Sequence, residues 1–119
     1  MKKLLVALIV LMMGISTNAQ EKKKKNAKHD IEVQGNCDMC KKRIEKAAYS
    51  VAGVKSAEWH QDDQTLHVLI NEQKTSPYLV SKAVAQAGHD TKTVKATDEN
   101  YEALHSCCAY ERKSNAKQE

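Results

Sequence analysis

Cys37 and Cys40 stand two residues apart in the stretch "QGNCDMCKK", Gln34 to Lys42. Two thiols at that spacing have three chemistries open to them: a redox pair, half of a structural zinc site, or a clamp for a soft metal ion. A second pair, Cys107 and Cys108, lies in the run "LHSCCAY", with His105 two residues ahead of it. Adjacent cysteines bridge each other poorly, because the peptide between them must distort. Two close-set pairs therefore resemble sulfur ligands more than a disulfide framework, although a bridge between the pairs or to another chain stays open.

The flanking residues must position these thiols. Ile31 and Val33 alternate with Asp30, Glu32 and Gln34, the pattern of a half-buried strand that Gly35 ends. From Cys40 onward, "CKKRIEKAAYSVAG" puts Ile44, Ala47, Ala48 and Val51 on one helical face, and Gly53 stops the helix. A strand thus fixes the loop, and a helix beginning at about Cys40 aims its free N–H groups and positive dipole end at the sulfurs. Lys41, Lys42 and Arg43 add positive field. All of this favours thiolate, the form that attacks disulfides and binds metals.

Further on, Ala57 and Trp59 alternate in one predicted strand, and Leu66, Val68 and Ile70 in the next. The polar "QDDQ" between them reads as a hairpin turn without an Asn-Gly signal. Ser76 is an N-cap, and Pro77 fits the first turn of a second helix. Its stripe is Leu79 or Val80, then Ala83, Val84 and Ala87, with Gly88 at the end. "TKTVKAT" supplies a last strand. The order strand, helix, strand, strand, helix, strand predicts an α+β, ferredoxin-like βαββαβ sandwich. It has a four-stranded antiparallel sheet, the fourth strand beside the first, and two helices on one face. His89 then sits beside the cysteines, and the tail leaves from the opposite end of the sheet. His60 and His67 read as structural, and Trp59 as core.

The chain opens with Lys2 and Lys3, an apolar run from Leu4 to Ile15, and Thr17-Asn18-Ala19. That is the form of a secretory signal peptide over residues 1–19, too short for the roughly 20 apolar residues of a membrane span. Its removal from the 119 residues leaves 100, enough for one small domain. The expected order is a basic, disordered lead-in at 20–29, a domain at 30–97 and a polar tail at 98–119. The net charge of +4 includes the two leading lysines, which leaves too little to argue for nucleic acid. Export across the inner membrane to the periplasm is expected, with no stable membrane insertion after cleavage.

The stretch from about Asp30 to Thr97 resembles the heavy-metal-associated domains. That group includes soluble copper(I) chaperones, metal-binding modules of copper-transporting ATPases and an exported mercury-binding protein. The resemblance rests on "VQGNCDMCKKRIEKA", on Gly53-Val54 and on "AGHD" before the last strand. The chain departs from the usual motif in one respect. Only Asn36 separates Gly35 from Cys37, and the methionine that normally packs under the loop is missing. The resemblance implies that Cys37 and Cys40 bind one soft ion, copper(I) first, with mercury(II), zinc or cadmium as alternatives. It places His89 as a candidate third ligand, against the plainer reading of a solvent-facing loop histidine. His105, Cys107 and Cys108 are candidates for an auxiliary site. From Ala96 to His105 the tail can stretch about 30 Å, enough to return to the cysteine loop or to form a second site near His29.

The function implied is an exported metallochaperone or scavenger, not an enzyme. It would pass metal to a metal-transporting ATPase or another metal-accepting protein, with a metal-bridged dimer as a further option. The basic face of the first helix, which borders the loop, suits docking to an acidic partner. The alternatives are a thiol–disulfide oxidoreductase on the same cysteine pair, and a structural zinc protein using all four cysteines.

Overall fold

The computed structural model describes residues 22–112. The signal-peptide reading of residues 1–19 lies outside them. Three strands and two main helices build the domain: β1 (Ala27–Glu32), α1 (Asp38–Tyr49), β2 (Val54–His60), β3 (Thr65–Ile70) and α2 (Pro77–Gln86). The sheet order is β1-β3-β2, with β3 antiparallel to both neighbours. The two outer strands therefore run parallel, as right-handed crossovers require.

Alternation fixes the sheet's two faces. Leu66, Val68 and Ile70 of β3 turn inward with Ala57 and Trp59 of β2 and Ile31 of β1. Cys40, Ile44 and Ala48, one turn apart along α1, press onto that face, with Ala47 and Val51 partly buried beside them. In α2 the buried residues are Val80, Ser81, Val84 and Ala85; Val80 and Val84 belong to the expected stripe, while Ala83 and Ala87 are only half-buried. The Ser76 hydroxyl caps this helix by accepting from the Leu79 N–H at 3.3 Å. Gly88 ends it at a φ of 105°, a conformation that glycine adopts without strain.

Three expectations change. The sheet has three strands among the described residues, not four. Residues 91–97 meet the chain at the end of β1 through a single antiparallel bridge between Val33, just beyond the strand, and Thr91, with the Lys92 N–H donating to the Glu32 carbonyl at 3.1 Å. Local bonds take the place of a ladder there. The Thr91 hydroxyl and N–H both bond Val94, and the Ala96 N–H donates to Asp90 Oδ1 at 2.8 Å. "TKTVKAT" has one β-branched aliphatic residue to hold it to the sheet, so the turn wins.

The lead-in also gives way, because β1 begins at Ala27 and residues just before it pair with the β3–α2 loop. The Lys24 N–H donates to Glu72 Oε1 at 3.0 Å, and the Glu72 N–H donates to the Lys24 carbonyl at 2.9 Å. Finally, the tail is a packed element. A short helix, α3 (Asp98–Glu102), and a 3₁₀ turn (Ser106–Cys108) bring Leu104, Cys108 and Tyr110 into the core. Without a fourth strand to carry it down the sheet, the tail stays at the cysteine-loop end.

Candidate metal centre

Cys37 is the N-cap of α1, in extended conformation and with no side-chain cap bond. The helix therefore starts two residues before the expected position, and Cys40 lies inside its first turn. The first-turn N–H groups have no intrahelical acceptor, so their partial positive charge lies open to the Cys37 sulfur without a formal cap bond. The Cys40 backbone N–H is the largest cause that holds the Cys37 thiol down, at about 7, and the Met39 N–H adds to it. Burial, second in size to the Cys40 N–H, works the other way. Cys40 is fully buried, and its sulfur accepts from the Asn36 N–H at 3.4 Å.

The loop is held from beneath and from the side. Trp59 lies under it and donates through Nε1 to the Val33 carbonyl at 2.9 Å. A methyl group on Gly35 would come within 3.0 Å of the Trp59 ring and 3.1 Å of Cys40 Cβ. Trp59 thus supplies the apolar floor in a loop that lacks the usual methionine. The β2–β3 turn holds the side. Gln64, at a φ of 53°, accepts from the Val33 N–H through its carbonyl at 2.8 Å. Its side-chain Oε1 accepts from the Gly35 N–H at 3.0 Å, and Gln61 Nε2 donates to the Asn36 carbonyl. Nothing in "QDDQ" announced that role.

Three of the four cysteines converge. The Cys37 and Cys40 sulfurs are 3.5 Å apart, the Cys108 sulfur lies 3.9 Å from that of Cys37, and all three fall within 4.8 Å of one another. Cys108 is fully buried, and burial foremost pushes its thiol up, with Cys40 and Cys37 adding to the effect. Cys107 is exposed, and its sulfur meets Met39 Sδ at 3.6 Å. His105 is exposed at the start of the 3₁₀ turn, outside the sulfur group.

His89 is fully buried and lies outside the sulfur group. Its Nδ1–H donates to the Gln34 carbonyl at 2.8 Å, and its ring stacks on Tyr110 with centroids 5.5 Å apart. Burial, more than any other cause, lowers its pKa, so the ring is neutral. It braces the loop and the tail from inside rather than facing solvent.

The anchors of the tail are residues that the sequence reading passed over. The Tyr110 hydroxyl accepts from the Asp90 N–H at 2.8 Å and donates to the Gly88 carbonyl at 2.9 Å. Arg112 grips the buried Asp90 carboxylate with two bonds of 2.9 Å and also reaches Asp98 and the Ala96 carbonyl. Burial alone would raise the Asp90 pKa, but Arg112 holds it below the usual carboxylate range. A signal was present: two of the four tyrosines of this aromatic-poor chain fall in a stretch read as polar tail.

A second donor group, His60, Asp63 and His67, lies on the solvent side of the sheet. His67 Nδ1 is 2.7 Å from Asp30, and that bond raises its pKa. The protonated ring so favoured has no lone pair for a metal, and the group reads as surface ion pairs.

Over 63 residues the chain is 32% identical to the copper chaperone CopZ of Staphylococcus epidermidis, a match that covers 52% of this chain and 93% of that protein. It also superposes on the N-terminal domain of a potential copper-translocating P-type ATPase from Bacillus subtilis, solved in the Cu(I)-loaded state. The TM-score is 0.53 at 28% identity, covering 56% of this chain and 85% of the other. A CopZ metallochaperone shares the fold with a TM-score of 0.53 at 24% identity, over 55% of this chain and 98% of the other. No protein-family profile matches the chain.

Proposed function

The chain belongs to the heavy-metal-associated domain family, and from that premise we propose that it is a soft-metal carrier. It binds one copper(I) ion through Cys37 and Cys40 and hands it on by ligand exchange. The observation that carries this reading is the sulfur pair at the head of α1. The two sulfurs are 3.5 Å apart, and one of them is partly exposed and close to half ionised at neutral pH. Soft thiolates select copper(I) over hard cations. Mercury(II), zinc and cadmium also bind thiolate donors, and the copper proteins among the relatives weigh toward copper.

A metal-transporting ATPase or another metal-accepting protein is the fitting partner, since one relative is a domain of a potential copper-translocating ATPase. Lys42 is exposed on α1 near the loop, with Lys46 exposed one turn further along in the last turn of the helix, and the two suit an acidic docking face. Lys41 is not free for that role, because it bonds the Trp59 carbonyl at 2.9 Å and Glu45 at 3.0 Å. The order of basic, apolar and small residues over 1–19 supports export. Among the described residues no helix is long and apolar enough to cross a membrane.

The oxidoreductase alternative is weaker. Thioredoxin-type sites set a proline against the cysteine pair, whereas the single proline here, Pro77, opens α2. Titration with a copper(I) chelator as competitor tests the main reading. The reduced protein is expected to hold copper(I) against the chelator, and a Cys37→Ser, Cys40→Ser double variant to lose that affinity. Unchanged affinity in the variant removes the proposal.

A further inference from the structure

Two sulfurs alone leave the site incomplete. At the roughly 2.3 Å of a thiolate–zinc bond, taken as a yardstick for thiolate–metal contacts, sulfurs 3.5 Å apart subtend about 100° at the ion. A linear two-sulfur ion needs them about 4.6 Å apart at the same bond length. The pair is therefore bent, with one side of the ion left open.

The tail fills that side. A triangle with edges of 3.5 Å, 3.9 Å and at most 4.8 Å has a circumradius of at most about 2.4 Å, close to the roughly 2.3 Å of the thiolate–metal bond. One ion in that triangle reaches all three sulfurs at bonding distance with little movement of the chain. A buried cysteine is more often a small apolar filler. Here, however, the residues around Cys108 are anchored by Tyr110 on the Gly88 carbonyl and the Asp90 N–H, by Arg112 on Asp90, and by Tyr101, which donates to the Tyr110 carbonyl. That is a large investment of buried polar bonds in a short segment outside the βαββα frame, and it sets the Cys108 sulfur against the loop.

We propose that Cys108 is the third metal ligand and that residues 98–112 form a strap which closes the site. This rests on the reading of Cys37 and Cys40 as the primary pair. On loading, Cys108 gives its proton to solvent as its metal–sulfur bond forms. On delivery, a partner thiolate bonds to the ion as the Cys108–metal bond breaks, and the freed Cys108 sulfur takes up a proton. Copper stays in the +1 state throughout. The strap occupies the position that an incoming partner sulfur must take, so release is slow until the partner displaces it. The site is thus built to retain its ion first and to transfer it second.

The test is X-ray absorption on the reduced, monomeric, copper(I)-loaded protein, beside Cys108→Ala and Cys107→Ala. Three sulfurs are expected in the native protein and in Cys107→Ala, and two in Cys108→Ala. Release of copper(I) to a chelator is expected to be at least fivefold faster in Cys108→Ala. Two sulfurs in the loaded native protein, or three persisting in Cys108→Ala, overturn the proposal and leave the Cys37–Cys40 reading standing. The native sulfur count decides this even if Cys108→Ala folds poorly. A native protein that holds no copper(I) at all sinks the underlying reading instead.

Discussion

Alkylation of the metal-free protein across pH tests the helix-head placement of Cys37. The Cys40 and Met39 N–H groups hold this thiol at about 7, so about half of it is thiolate at pH 7. A free cysteine, with a pKa of about 8.5, is about 3% ionised at the same pH. The ratio of thiolate is therefore about 16. Nucleophilicity falls with pKa at a Brønsted slope of about 0.45, which costs about fivefold over 1.5 units. The net expectation at pH 7 is a rate up to about threefold above free cysteine. At pH 10, where both are ionised, Cys37 reacts about fivefold slower. The two profiles cross, and that crossing marks a depressed pKa in a way that exposure alone does not. Iodoacetamide pulses read by peptide mass spectrometry give the rate for each cysteine, with Cys40 and Cys108 protected by burial. A Cys37 midpoint at 8.5 or above, with no crossing, refutes the reasoning.

The remaining predictions concern the frame around the site. Gly35→Ala drives a methyl into the Trp59 ring and Cys40 Cβ; it is expected to lower stability by about 1–3 kcal/mol and weaken copper(I) affinity, measured by urea melts and chelator titration. Tyr110→Phe leaves the buried Gly88 carbonyl and Asp90 N–H without their partner. The loss is expected at about 2–4 kcal/mol, limited by the cost of detaching the strap, and limited proteolysis should find the tail newly cleavable. Burial lowers the His89 pKa, so on acidification the unfolded chain takes up a proton near pH 6.5 that the folded chain refuses. Stability of the metal-free protein should then fall as the pH drops below about 6.5, by at most about 1.4 kcal/mol per pH unit for this one group. His67 works in the opposite sense: its raised pKa adds stability below about 6.5 that is lost as pH rises. It is exposed and screened, so its share is small. A flat profile from pH 7.5 to 5.5 in urea titrations contradicts the His89 assignment.

Elements with strong local signals were legible in the sequence. Alternation marked β2 and β3 without error in face, Ser76-Pro77 marked the start of α2, and the apolar stripe of α1 named Ile44 and Ala48. The sheet order β1-β3-β2 agrees with the ferredoxin-like order of elements taken together with right-handed crossovers. The fourth strand failed because Asp90 and Thr91 offer the backbone closer partners than β1 does, and short polar side chains make such offers cheaply. The strap was missed for a different reason. Its apolar residues, Leu104, Cys108 and Tyr110, are separated by polar residues with no helical or strand period, so only the three-dimensional frame joins them. The cysteine loop was recognised from its spacing. Its support by Gln61 and Gln64 was not, because side-chain-to-backbone bonds between remote loops leave no periodic trace.

The central claim, that Cys37 and Cys40 together hold a soft cation, meets its most direct test in native mass spectrometry of the reduced chain. The protein is equilibrated with copper(I) beside its Cys37→Ser, Cys40→Ser counterpart. The account predicts one copper ion per native chain and none on the double variant. A native chain that emerges bare, or a double variant that carries the ion equally well, contradicts it.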